Sequence, residues 1–306
     1  MAIYDVNAAN LSNAYAVGGS SLDTAYDVDG EVVFTSSPPT PPVVDYSSYT
    51  IGNYCTVSLT PTQGFDIYNN IIFQFMATGT TVTNRMATIN ASTATIINSN
   101  ISAKSDHGDS ASFSNEKYDA GDDYPLIYVT SDTNPAKVYI NRVTQTTSTL
   151  IKTLAFPLDK TGYYAAACID FENDICYMVG YSEQNYQTDD GGANKTVVSL
   201  WDLSNLTDNG DSTYTPLFVS SYERAFIRIM QGQQFHDGML WISSGGTNIH
   251  GYVYALKPSD GTLLYTVDTN TTTEVEGIAF ISANEMVFGL QGGAYKKVTF
   301  AEVTIS

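Results

Sequence analysis

From residue 63 onward one order of polar, small and apolar positions recurs along the chain. A polar residue and then a small one open a short stretch in Gln63-Gly64-Phe65-Asp66-Ile67-Tyr68, His107-Gly108-Asp109-Ser110-Ala111-Ser112-Phe113, Gln231-Gly232-Gln233-Gln234-Phe235-His236 and Glu276-Gly277-Ile278-Ala279-Phe280-Ile281. Ala165-Ala166-Ala167-Cys168-Ile169-Asp170-Phe171 keeps the small residue and lacks the polar one. After a turn, each is followed by a continuous β-branched and aromatic run: Ile71-Ile72-Phe73-Gln74-Phe75, Leu126-Ile127-Tyr128-Val129, Ile175-Cys176-Tyr177-Met178-Val179, Met239-Leu240-Trp241-Ile242 and Met286-Val287-Phe288-Gly289-Leu290. Such runs suit strands covered on both faces. A third run comes each time, at residues 83–89, 137–143, 196–203, 251–256 and 297–305, and Pro258-Ser259-Asp260-Gly261 is the turn chemistry that joins a third strand to a fourth.

A small inner strand, an apolar second, an amphipathic third and an edge strand make up one propeller blade, and a recurring unit of this size signals a closed array. The expectation is therefore an all-β protein: a five-bladed β-propeller over residues 46–306, preceded by a short extended N-terminal adaptor segment. Glycine and alanine fit inner strands, where backbones approach closely. Residues 51–59 are expected to supply the outer strand of the last unit and close the ring, and residues 115–123 and 184–194 read as insertions between strands. A β-sandwich with irregular loops is the competing topology.

Composition agrees. Aromatics reach 12%, with 22 tyrosines, against 15% charged residues, as in hydroxyl-rich all-β proteins. The net charge of −19 repels a phosphate backbone, so nucleic acid is excluded as a partner. No apolar run approaches the roughly 18 residues of a membrane span, so no membrane insertion is expected, and the N-terminus lacks the basic start and apolar core of an export signal. Cys55, Cys168 and Cys176 have no metal-type spacing and read as small buried side chains, with a Cys168–Cys176 disulfide left open. His107, His236 and His250 stand far apart. No metal or cofactor is expected, and nucleophile-elbow, Walker and dinucleotide motifs are absent.

Aligning the units brings Gln63, His107, Ala165, Gln231 and Glu276 to one mouth of the central channel. Convergent polar groups in a concave mouth make a ligand site; the alternative is that they only cap their strands and hold water. Glycoside hydrolysis needs two carboxylates about 5 to 10 Å apart, and Asp66, Asp109, Asp170 and Glu276 are the inner-strand candidates. Only 13 Lys and Arg are present to clamp a substrate, so binding without catalysis is the leading expectation and an enzyme the alternative. Asp27-Val28-Asp29-Gly30 and Asp208-Asn209-Gly210-Asp211 resemble fragments of calcium loops but lack the twelfth-position glutamate and read as turns; the acidic loop Asp119-Ala120-Gly121-Asp122-Asp123 leaves a surface calcium open. Tyr118, Tyr124, Tyr181, Tyr186 and Tyr222 lie in or near loops, where they can stack on sugars or anchor a protein.

The first residues carry a different repeat. Tyr4 with Val6, Tyr15 with Val17 and Tyr26 with Val28 recur every eleven residues, and Ser37-Pro38-Pro39-Thr40-Pro41-Pro42 then imposes an extended linker. The expected organisation is an adaptor over 1–36, a linker over 37–45 and the propeller from 46. Ala2-Ile3-Tyr4-Asp5-Val6 and Leu22-Asp23-Thr24-Ala25-Tyr26-Asp27-Val28-Asp29-Gly30-Glu31-Val32-Val33-Phe34 resemble the leader of minor structural proteins of tailed bacteriophages and prophages. His107-Gly108-Asp109-Ser110, Asn115-Glu116-Lys117-Tyr118 and Asp122-Asp123-Tyr124-Pro125-Leu126-Ile127-Tyr128-Val129 are similar to propeller-like proteins of the same phages and related bacteria. The resemblance implies a virion component assembled in the host cytoplasm, docked on other virion proteins through the six repeat residues as their order is gained on binding, with an exposed head that attaches to a host-surface glycan and a possible homo-oligomeric state. A bacterial surface binding module is a further alternative.

Overall fold

The computed structural model describes residues 24–26, 32–35, 43–59, 63–78, 81–131, 133–188 and 192–303. The chain forms two compact units, one of residues 1–45 with 302–306 and one of residues 46–301. In the first, β1 (Thr24–Tyr26) and β2 (Val32–Thr35) pair antiparallel, with Ala25 opposite Phe34. That hairpin lies inside the stretch expected to be extended. Tyr26 ends β1, whereas Tyr4, Val6, Tyr15, Val17 and Val28, the other residues of the docking reading, lie outside the described residues. The expected linker also ends early, because Val43 and Val44 already begin β3 (Val43–Thr56), as β-branched residues favour.

The second unit is all-β and propeller-like. β4 (Phe65–Tyr68), β5 (Ile71–Thr78), β6 (Thr81–Asn90) and β7 (Thr95–Ser102) form one antiparallel four-stranded sheet. β8 (Ser110–Phe113), β9 (Ile127–Ser131), β10 (Lys137–Val143) and β11 (Ser148–Ala155) follow; after the one-turn helix α1 (Leu158–Thr161) come β12 (Tyr163–Asp170), β13 (Ile175–Tyr181), β14 (Thr196–Gly210) and β15 (Thr213–Arg224). These two sets join into one eight-stranded sheet, because β15 pairs parallel with β11 at Thr153↔Thr213 and Leu154↔Tyr214. β16 (Met230–His236), β17 (Met239–Ser244), β18 (Tyr252–Leu256) and β19 (Leu263–Asp268) make the next sheet. The last consists of β20 (Val275–Ser282), β21 (Glu285–Leu290) and β22 (Ala294–Val303), with β3 at its edge. Asn53 Oδ1 accepts from Lys296 Nζ at 2.8 Å and Val57 donates to Gly293 O at 3.0 Å, which fixes that closure. The strand expected over 51–59 therefore does its predicted work but starts eight residues sooner.

The core lies between neighbouring sheets, which explains the unbroken apolar runs. On β13, Cys176 and Met178 pack with Val138, Ile140 and Trp201, while Tyr177 and Val179 on the opposite face pack with Leu240 and Ile242. Cys168 belongs to the second cluster and Cys176 to the first, so they face opposite ways, and all three cysteines are free. The first strands of the sets meet around the axis, β4 against β8 and β20, and β16 against β12 and β20. Stacked sandwich sheets have no such ring of inner strands.

The β14–β15 hairpin runs far past the residue 203 limit expected of a third strand. Leu206 and Tyr214 on its extension cover the cluster around Phe156 and Trp201, and Lys152 Nζ sits 4.7 Å from the Tyr214 ring centre. Its tip is the two-residue turn Asp211-Ser212, with φ of 51° and 58°; Asp208, Asn209 and Gly210, expected to form the turn, still belong to β14, where Gly210 pairs with Thr213. The acidic loop at 119–123 holds an internal cation instead, since Arg142 lies 2.8 Å from Asp119 and 2.5 Å from Asp122.

Candidate functional site

Three of the inner strands slip their register where they enter the axis, while β4 and β8 pair without a break. The β12 ladder skips between Tyr163 and Ala166, β16 between Met230 and Gln233, and β20 between Val275 and Gly277. Bulges of this kind release side chains from the ladder and turn them to a new direction. Here they free Tyr164, Gln231 and Glu276. Ahead of β4 and β8, Gly64 N–H donates to Gly108 O at 2.8 Å, and this backbone contact sets Gln63 beside His107.

The consequence is a cavity of about 840 Å³ lined by Gln63, His107, Gln231 and Glu276 together, with Asp109 and Glu274 among them. The fifth position differs. Ala165 packs into the core, and the slip in β12 presents Ala166 to the cavity in its place. Tyr164, Tyr181 and Tyr186 form an aromatic wall, with Tyr164 and Tyr186 edge to face at 5.3 Å. Tyr181 Oη accepts the Met230 N–H at 2.5 Å. Tyr164 and Ile229, both cavity residues, hold φ of 51° and 47°, a conformation that bulky and β-branched side chains adopt at a cost of about 1–3 kcal/mol.

The polar groups differ in how well they are matched. His107 Nδ1 and Asp109 Oδ1 are 2.5 Å apart. Gln231 Nε2 donates to Glu274 Oε1 at 2.7 Å and Thr247 Oγ1 to Glu274 Oε2 at 3.3 Å; burial nevertheless raises the Glu274 carboxyl above its ordinary range. Gln63 is 8% exposed, and its Oε1 has no partner among the described residues. Glu276 is 2% exposed. Burial pushes its carboxyl well above the usual carboxylate range, the charges of Glu274 and Asp109 push it further, and His107 opposes them.

Below the cavity the channel is filled by cross-axis bonds. Ser110 Oγ lies 2.5 Å from Gln233 O and 3.2 Å from Ala167 O, tying β8 to β16 and β12. Farther along, Asp66 accepts from the backbone of Phe113 at 2.6 Å and of Ile67 at 2.7 Å, and from Gln234 Nε2 at 3.4 Å. Gln234 Oε1 in turn accepts Phe280 N–H at 2.7 Å. Asp66 is thus a brace among β4, β8, β16 and β20, outside the cavity. Asp170 caps the β12–β13 turn through Asn173 Nδ2 at 2.8 Å. Of the four carboxylates considered for glycoside chemistry, Asp109 and Glu276 share the cavity and the other two are structural.

No protein-family model matches the sequence, and no curated protein matches it. Solved structures do share the fold. The glutaminyl cyclase of Myxococcus xanthus superposes with a TM-score of 0.52 at 11% identity, over 83% of this chain and 97% of its own. The PQQ-bound aldose sugar dehydrogenase of Streptomyces coelicolor gives 0.46 at 8% identity, over 85% and 100%, and a protein of unknown function from Bacteroides thetaiotaomicron 0.42 at 10% identity, over 83% and 76%. At 11% identity the likeness to the first concerns fold alone.

Among the described residues, no three His, Cys, Asp or Glu side chains stand close enough to hold one metal ion, and no helix is long and apolar enough to cross a membrane. Of the five loop tyrosines singled out by sequence, Tyr181 and Tyr186 reach the cavity; Tyr124 is buried, Tyr222 donates to Pro258 O at 2.9 Å, and Tyr118 lies against Arg142. Sequence reasoning passed over Glu274, although it stands two residues before Glu276. Tyr164 and Arg228 left no comparable signal, since only the slipped registers and the surrounding turns bring them to the cavity.

Proposed function

We propose that the second unit is a five-bladed propeller, counting the eight-stranded sheet as two blades joined at β11 and β15, and that its axial cavity binds a hydroxyl-rich ligand of the saccharide class. The convergence of Gln63, His107, Gln231 and Glu276 from separate inner strands on one cavity carries this reading. Amide, imidazole and carboxyl groups together offer both donors and acceptors, which a polyol needs, and a tyrosine wall gives an apolar face for a sugar ring. A cavity of about 840 Å³ is in the range that encloses small ligands. Replacing Gln231 by alanine removes a lining donor and leaves Glu274 without its 2.7 Å bond. Affinity for the best ligand in a mono- and disaccharide calorimetry panel is expected to fall at least about tenfold, or about 1.4 kcal/mol. Unchanged affinity would remove the reading.

A carbohydrate-active enzyme is favoured by one observation. Burial and neighbouring acids push the Glu276 carboxyl well above the usual range while Asp109 shares its cavity, and a carboxyl biased toward its acid form beside a second carboxyl is the arrangement of an acid and its partner. Release of product from aryl glycosides, lost in Glu276→Gln, would establish it.

The virion role is our proposal for residues 1–36: a docking segment that positions the propeller for attachment to a host-surface glycan. Deleting residues 1–36 is expected to leave a folded second unit that no longer enters phage particles, as read by immunoblotting of purified virions. Normal incorporation would dismiss it.

A further inference from the structure

Building on the saccharide reading, we propose that the ligand carries a primary ammonium group, seated between the Glu276 carboxylate and the Gln63 side-chain oxygen. The class is an amino sugar rather than a neutral one.

The argument starts from what is left unmatched. Most polar groups of the cavity already have partners: Asp109 has His107, and Glu274 has Gln231 and Thr247. Among the described residues, Glu276 finds no hydrogen-bond or ion-pair partner, though it is only 2% exposed and lines the cavity. Gln63 lines the same wall, and its Oε1, enclosed behind the cavity surface, is likewise without a partner among them. A buried carboxyl and a buried carbonyl oxygen without donors each carry a desolvation cost, and native interiors leave few such groups unless something arrives to meet them. Gln63 Oε1 accepts, and the Glu276 carboxyl accepts at both oxygens once it is ionised. An ammonium has three donors and no acceptor, so it can meet the Glu276 carboxylate and, with a turn of the Gln63 amide toward the cavity, Gln63 Oε1 as well. A neutral hydroxyl brings one donor and cannot compensate a carboxylate.

Charge points the same way. The ionised and titratable groups acting on Glu276 are Glu274 ahead of β20, and Asp109 and His107 ahead of β8. Two of these three are acids. The chain as a whole carries −19, which draws cations toward concave sites and repels anions. Arg228 also lines the cavity but is itself exposed and is not among the groups that shift Glu276. Burial and the neighbouring acids favour the protonated form of Glu276, whereas a bound ammonium favours the ionised form, so binding draws a proton off the acid and tightens as pH rises.

The test is calorimetric titration of the full chain at pH 7 with glucosamine, glucose and ethanolamine, each in phosphate and in MOPS buffer, neither of which carries a primary ammonium. Glucosamine is expected to bind at least tenfold tighter than glucose, with a heat that differs between the buffers by the release of one proton, and Glu276→Gln should erase both the preference and the buffer dependence. The amide is close in shape to the acid, and thermal melting at pH 8 should show this variant at least as stable as the parent, which guards against misfolding. Equal binding of glucose and glucosamine would overturn the ammonium inference and leave the saccharide reading standing. Ethanolamine matching glucosamine while glucose fails would support the ammonium and remove the sugar. Failure of all three, a preference that survives in Glu276→Gln, or calcium binding that displaces glucosamine would overturn the inference.

Discussion

Gly232→Ala is expected to destabilise the second unit by about 3 kcal/mol or more. A Cβ at this position would lie 2.4 Å from Gly277 Cα, 2.9 Å from Ile278 N and 3.0 Å from Glu276 O. All three are backbone atoms of β20, which cannot rotate out of the way as a side chain could. The contact is also where two inner strands meet beside the cavity, so relief by moving β16 would displace Gln231 and open the ladder to β17. Gly52→Ala is the matched control: nothing lies within 4 Å of its would-be Cβ, and its effect should stay within about 0.5 kcal/mol. Urea unfolding of both variants measures the difference, and comparable midpoints would contradict the close approach of β16 to β20.

The same glycine shows how far residue type alone specifies the inner strands. The polar-then-small phrase at Gln63-Gly64, Gln231-Gly232 and Glu276-Gly277 was legible because close approach leaves room for no larger residue, and that physical need repeats with each sheet. Runs such as Ile175-Cys176-Tyr177-Met178-Val179 were legible because a strand with a sheet on either side has no polar face. Register slips are not written in residue type, so the shift from Ala165 to Ala166 and the arrival of Tyr164 at the cavity could not be foreseen. The long β14–β15 hairpin was hidden for a related reason: Leu203-Ser204-Asn205-Leu206 carries a weak pattern, and its strand character comes from packing on Trp201 and Phe156. Asp66 lies on an inner strand as expected, but its bracing role could not be read, because an inner-strand carboxylate looks the same in sequence whether it braces or reacts.

Asp66 gives the second large effect. Burial pushes its carboxyl from an ordinary 3.8 up to about 7, outweighing three hydrogen bonds that favour the charged form. The native state therefore keeps a proton that the unfolded chain has lost. The associated stability is fully present below about pH 4 and is lost as pH rises to about 7; a shift of this size corresponds to about 4 kcal/mol. In Asp66→Asn the titration disappears, and the amide nitrogen must face one of the N–H donors of Phe113 or Ile67, at a cost of about 1–3 kcal/mol. The variant is thus expected to be less stable than the parent near pH 4.5 and to draw level with it or pass it by pH 8. Denaturant unfolding followed by circular dichroism at the two pH values reads the crossing directly, and Glu276, present in both proteins, cancels from the comparison. Two curves that run parallel would show that Asp66 is ionised throughout.

The pairing of β3 with β22 bears on how the chain is made. Asn53 and Lys296, bonded across that edge, are 243 residues apart, so β3 leaves the ribosome long before its mate exists. Throughout that interval a strand carrying Tyr46, Tyr49 and Tyr54 has an open hydrogen-bonding edge, the kind of segment that recruits wrong neighbours. Protection by a chaperone during translation is therefore most needed at the earliest strand of the ring, and the final sheet is completed by its oldest segment.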